Sequence, residues 1–190
     1  VIHTADPVTK LEDMAGKELR GPTRVITDLL GEYGATPVGM PLPGIPEALS
    51  KGVINGTVLP WEITPAIKLG ELVTNHTEIG GDRALYTATF ILAMNWDAYE
   101  ALPDDIRTIL DENTGKEMSR SVAATMVARD EAGRSVYEGN NIIELPEAEV
   151  ARWIEAAQPV YDRWVERAAD KGFDGQATID QARALISANR

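Results

Sequence analysis

The chain has 190 residues, of which 44% are hydrophobic and 25% charged, and a formal net charge of −12. That length is enough to bury a substantial core in one or two domains, and the composition is that of a globular protein. The acidity argues against nucleic-acid binding, which needs clustered Lys and Arg to neutralise phosphate.

Residues 1–4 read as the end of a strand, and 10–16 as a helical turn or loop. A short strand over 17–20 carries Arg20 into the Gly21-Pro22 turn. Thr23 is a good N-cap for a helix through Tyr33, with Val25, Ile26, Leu29 and Leu30 at helical spacing and Gly34 as the stop. Residues 37–40 read as a buried strand, 45–51 as a short helix closed by Gly52, and 54–59 as the next strand. A helix is expected over 63–72. The apolar, β-rich run over 85–94 reads as an extended or crossing strand. Asn95 caps a short helix, and apolar spacing predicts a long one over about 103–138. Residues 142–145 form a short strand, Pro146 opens a helix reaching about Lys171, and a last helix begins near Thr178. The N-terminal half is therefore α/β with a largely parallel sheet, and the C-terminal half is mostly helical.

The residues that could carry catalysis are few. His3 and His76 are the only histidines and have no matched Ser or Asp spacing, so both read as structural. No glycine pattern matches a nucleotide loop, and the pairs Asp104-Asp105 and Asp111-Glu112 read as a solvated helix face. The absence of cysteine excludes disulfides, thiolate metal sites and cysteine nucleophiles, and no cofactor or metal is expected. No run of about 18 apolar residues marks a membrane span.

Arg20 stands apart. Gly21 permits a close approach, Pro22 fixes the turn, and Thr23 opens a helix whose free N–H groups favour an anion. A guanidinium fork can give a carboxylate two parallel charge-assisted bonds. The acid excess lies mostly beyond Asp97, so the stretch that holds Arg20 is among the least acidic. Arg24 is a second positive group, expected to point elsewhere. Leu59, Pro60 and Trp61, at the end of another strand, lie with Met40 to Leu42 at carboxyl ends of strands, where open α/β sheets place ligands. A small organic acid is the expected ligand. The rival reading is an α/β enzyme that anchors a carboxylate substrate through Arg20 and uses Glu62 as base.

An ordered series of motifs strengthens the first reading. E-D-M-A-G-K-E-L-R ends at Arg20, G-A-T-P-V-G-M spans Gly34 to Met40, and A-L-S-K-G-V-I-N-G-T-V-L-P spans Ala48 to Pro60. Met94-Asn95 then precedes a helix that closes in Leu110-Asp111-Glu112. The series resembles the DctP-type substrate-binding proteins of tripartite ATP-independent periplasmic (TRAP) transporters. The resemblance implies a periplasmic-binding-protein-like two-lobe α/β fold with long C-terminal helices. It also implies a non-enzymatic periplasmic receptor that presents a bound organic acid to membrane permease subunits. Arg20 matches the family arginine that binds the ligand carboxylate, and Thr23 falls where a polar side chain often touches ligand. Thr57, Glu62 and Tyr86 complete the expected ligand-binding set with Leu42, Leu59 and Trp61. Leu42 stands where many members have an aromatic residue, Leu59 where an asparagine is frequent, and Asn55 replaces the usual aspartate. An apolar wall of Leu42, Leu59 and Trp61 suits an aromatic or branched monocarboxylate better than a sugar acid. By the same resemblance 1–84 is the second ligand-binding lobe, 85–124 the returning part of the first, and 125–190 the return and the C-terminal helices. Most of the first lobe is expected to lie upstream of Val1, leaving the segment around 85–94 without its neighbours.

Overall fold

Six short strands form one sheet in the order β3-β2-β4-β1-β5-β6 in the computed structural model, which describes residues 1–81 and 83–188. They are β1 (Ile2–Thr4), β2 (Glu18–Gly21), β3 (Thr36–Gly39), β4 (Gly56–Val58), β5 (Asn75–Glu78) and β6 (Asn141–Glu144). β2 pairs in parallel with β3 and β4, and β5 with β6, while β1 runs antiparallel to both β4 and β5. Five strands thus point one way and β1 alone is inverted. The carboxyl ends of those five share one edge, which is the edge where Arg20 leaves β2.

The early elements form for the reasons legible in the sequence. α1 (Arg24–Glu32) is capped by Thr23, whose Oγ1 accepts the Ile26 N–H at 3.4 Å, and it ends where Gly34 takes φ +86°. α2 (Ile45–Ser50) ends before Gly52 at φ +67°. α1, α6 (Glu147–Ala156) and α7 (Gln158–Asp170) cover one face of the sheet, burying Ile2, Leu19, Val58, Leu30, Val150 and Trp153 together. Arg163 and Arg167 of α7 pair with Glu32 and Asp28 of α1 at 2.8 and 3.0 Å. A smaller apolar cluster of Ile45, Ile54, Leu59 and Leu69, flanked by Val38, Met40 and Leu42, lies on the opposite face.

Four expectations are corrected. Residues 63–72 are not an α-helix: 3₁₀ turns at Trp61–Ile63 and Leu69–Glu71 flank a bend in which Lys68 is left-handed. Pro65 lacks a donor, and the Tyr137 ring presses on Gly70 so closely that a Cβ there would fall 2.1 Å from it. Residues 85–94 carry no strand, because a strand needs a ladder partner and none of the described residues supplies one. The long helix divides at Gly115 (φ +85°) into α4 (Asp104–Asn113) and α5 (Lys116–Ser135), after α3 (Trp96–Glu100) capped by Asn95. The helix after Pro146 likewise divides at Ala157, because Pro159 falls in the first turn of α7. α8 (Gly175–Ala188) begins a few residues before Thr178.

The C-terminal end of α5 is fixed by one face. Asp130 Oδ1 accepts the Glu62 N–H at 3.1 Å, Arg134 forks onto Glu78 at 2.9 and 3.0 Å, and Tyr137, just past the helix, stacks on Trp61. Gly133 lies between them, and a Cβ there would sit 2.3 Å from the Trp61 carbonyl oxygen. Gly133→Ala should therefore destabilise the fold by about 2 kcal/mol or more in urea unfolding, because backbone must move. Gly139→Ala, whose Cβ meets nothing within 4 Å, should stay within about 0.5 kcal/mol. Equal effects of the two substitutions would contradict this packing.

Candidate functional site

Arg20 lies in β2 between Val38 of β3 and Thr57 of β4, and the register continues from Thr57 through His3 and His76 to Ile142. Residues directly opposite one another on paired strands share a face, so these six form one row across the sheet. The row faces away from the α1, α6 and α7 layer. Four of its members are polar and buried: Arg20, Thr57, His3 and His76.

The arginine is 5% exposed, and its Nε–H donates to the Met40 carbonyl at 3.0 Å. Its Nη1 is buried with no hydrogen-bond partner, and among the described residues no carboxylate pairs with it. Burial pulls its pKa below the usual arginine value, opposed by the nearby Tyr86 phenol, yet an arginine stays charged. A buried cation without a counter-charge is costly, and a carboxylate is the group that relieves it. Beside it, an open cavity of ≈ 510 Å³ is lined by Arg20, Pro22, Thr23, Arg24, Thr27 and Met40, with no acidic residue. Arg24, expected to point elsewhere, thus adds a second cation to the same concavity, at the N-terminus of α1. A second cavity of ≈ 620 Å³ between Gly80 and Val150 is lined by Arg83 but also by Glu144 and Glu147, which suit an anion poorly.

The other expected site residues fall in different settings. Thr23 lines the cavity while capping α1. Thr57 is wholly buried beside Arg20, and its Oγ1 has no partner. Tyr86, half-buried, donates its hydroxyl to the Val58 carbonyl at 3.3 Å and feels both Arg20 and Glu62; burial raises its pKa. The Glu62 carboxyl is also raised, first by desolvation and then by Asp130. Leu42 and Leu59 pack in the smaller apolar cluster, on the same side of the sheet as Arg20.

Trp61 is 2% exposed and closes an aromatic box. Its Nε1–H donates to Glu78 at 2.8 Å, it meets the rings of His3 and His76 edge-on, each at 5.0 Å, and it stacks on Tyr137. His3 Nε2 lies 3.2 Å from the Leu59 carbonyl, which only accepts, so this nitrogen carries hydrogen. With neutral rings, His3 Nδ1 then accepts from His76 Nδ1–H at 2.8 Å, leaving His76 Nε2 to accept from the Asn140 amide at 3.0 Å. One pair of tautomers satisfies every bond, and a proton added to the pair breaks the sequence. Neither this pairing nor the roles of Tyr137 and Asn140 had a signal in the sequence, because each joins segments more than 60 residues apart. Among the described residues no cluster of His, Asp or Glu could hold a metal.

Residues 1–168 match the family model of bacterial extracellular solute-binding protein family 7 (DctP). The chain belongs to that family. It is 26% identical over 170 residues to the C4-dicarboxylate-binding periplasmic protein DctP of Rhodobacter capsulatus, covering 88% of this chain and 50% of that one. Among solved structures, a TRAP solute-binding protein from Rhodoferax ferrireducens T118 in complex with copurified benzoate superposes with TM-score 0.93 at 45% identity. A marine-metagenome TRAP solute-binding protein specific for aromatic acids, in complex with 3-hydroxybenzoate, also gives 0.93, at 39% identity. Each superposition covers 98% of this chain and 59% of the other. The fold is therefore that of the TRAP periplasmic binding proteins, and the chain spans about half the length of the curated relatives it matches.

The histidine pair predicts a pH dependence. Burial holds His3 well below its ordinary 6.5 and His76 at about 4. The unfolded chain takes up these protons near pH 6.5 while the folded protein resists them, so the stabilisation is complete above that pH and is lost on acidification. The thermal midpoint should fall steadily from about pH 6.5 toward pH 4, losing a few kcal/mol of stability. A midpoint unchanged between pH 6.5 and 5 would contradict the neutral pair.

Proposed function

We propose that this chain is the carboxylate-binding part of an extracytoplasmic solute receptor, which delivers a small organic acid to the membrane permease of a TRAP-type uptake system. The single observation that carries the reading is Arg20, a buried guanidinium held by one backbone carbonyl, with Nη1 unpartnered and no carboxylate against it. A receptor needs such a group and no catalytic constellation, and we take the protein to act without chemistry, in the periplasm. In this reading 1–84 belong to one ligand-binding lobe, 85–124 to the returning part of the other, and 125–190 to the return and the C-terminal helices. The exposure of Phe90, Ile91, Leu92 and Trp96 supports that division, since apolar side chains so disposed belong against another body. Lobe closure around ligand is then a population shift driven by contacts that bridge both lobes.

The ligand class follows from two supports. The Rhodoferax and marine proteins bind benzoate and aromatic acids at 45% and 39% identity. In this chain Leu59 is apolar and packs with Leu42 beside the Arg20 row, where a sugar acid would want hydroxyl partners. An aromatic monocarboxylate is the better fit.

Glu62, with its raised pKa, is the one observation that favours an enzyme anchoring its substrate through Arg20. Recovery of a bound acid chemically unchanged after prolonged incubation supports the receptor, and its turnover would support the enzyme.

Calorimetry on the full-length protein checks the central residue. Charge-assisted bonds contribute about 1.5–3 kcal/mol each, so Arg20→Ala should weaken benzoate binding by roughly tens-fold or more. An unchanged affinity would refute the role. In thermal-shift measurements aromatic acids should stabilise the protein more than hydroxylated sugar acids, and the reverse order would remove the ligand assignment.

A further inference from the structure

Within the row Val38–Arg20–Thr57–His3–His76–Ile142, two of the four buried polar members complete their bonding and two do not. His3 and His76 bond each other, and their outer nitrogens reach Leu59 and Asn140. Val38 and Ile142 need no partner. Only Arg20 Nη1 and Thr57 Oγ1 are left, and they belong to residues directly opposite each other on paired parallel strands. A buried hydroxyl with nothing to bond is unfavourable, and valine would fill the same space without that cost.

We infer that Thr57 is the second donor of the carboxylate clamp: its hydroxyl bonds the ligand carboxylate that Arg20 neutralises. The inference rests on the receptor reading above and adds a second ligand contact to it. Guanidinium and hydroxyl belong to residues directly opposite each other on adjacent strands and on the same face of the sheet. Both are shielded from bulk water, which fits an acid enclosed by the protein rather than one held at its surface. Thr57 therefore acts on the carboxylate, not on the ring that follows it.

The test is calorimetry with benzoate and 3-hydroxybenzoate on the full-length protein and its Thr57→Val, Thr57→Ser and Arg20→Ala variants. Thr57→Val should weaken both acids equally, by about 5- to 20-fold. Thr57→Ser, which keeps the hydroxyl, should stay within about threefold, and Arg20→Ala should lose more than either. The ligand-free thermal midpoint of Thr57→Val should equal or exceed that of the parent, since no protein bond is lost. Unchanged affinity in Thr57→Val with a loss in Arg20→Ala overturns the inference and leaves the receptor reading intact. A loss confined to the hydroxylated acid, or a lowered ligand-free midpoint, also overturns it. If neither substitution affects binding, the carboxylate-receptor reading itself falls.

Discussion

A guanidinium buried in a protein is tolerated only if something meets its charge and its five donors. Arg20 meets that requirement in part, through the Met40 carbonyl, and no carboxylate of the described residues completes it. Much of the surrounding structure serves to keep it so. The parallel strands β2, β3 and β4 end together, so that Arg20, Met40 and Leu59 reach one edge. Thr23 starts α1 immediately beyond, adding the partial positive charge of a helix N-terminus and Arg24 to the same concavity. Two half-buried carboxyl groups of the sheet's end are committed elsewhere or disfavoured: Glu78 is occupied by Arg134 and Trp61, and Glu62 is raised by burial and by Asp130. The result is a localised positive site in a strongly acidic chain.

The second constraint is how the long helix is held. The face of α5 formed by Asp130, Gly133 and Arg134 grips the Trp61 turn and β5, and Tyr137 extends that grip past the helix end. Toward its N-terminus α5 exposes Val122 and Met118, and the preceding segment exposes Ile91 at 85% and Trp96 at 68%. One end of this arm is thus anchored beside the Arg20 row while the other presents apolar side chains outward.

Local physics was legible in the chain, and tertiary pairing was not. The Thr23 cap, the Gly34 and Gly52 stops, the Asn95 cap and the Gly21-Pro22 turn each act over a few residues, and each element begins or ends where they place it. Arg20 stood out for the same reason. The Lys68 bend failed as a helix because Tyr137, far away in sequence, presses on Gly70. The β-rich run after Leu85 failed as a strand for want of a partner, which propensity does not reveal. Gly115 and Pro159 were visible breakers whose effect a long apolar rhythm concealed. The histidines read as structural, but the bonding that makes them so joins β1 to β5 and the loop after α5, a relation no spacing encodes. Trp61 read as part of the ligand wall, and its contacts with His3, His76 and Tyr137 place it inside an aromatic box.

All of these elements bear on whether Arg20 awaits a carboxylate from outside the protein. A crystal structure of the full-length protein with benzoate examines that directly. The account predicts the benzoate carboxylate against the Arg20 guanidinium, with the Nε–Met40 bond retained. Benzoate seated instead in the cavity lined by Glu144 and Glu147, or Arg20 found paired with a protein carboxylate while benzoate is bound elsewhere, would contradict it.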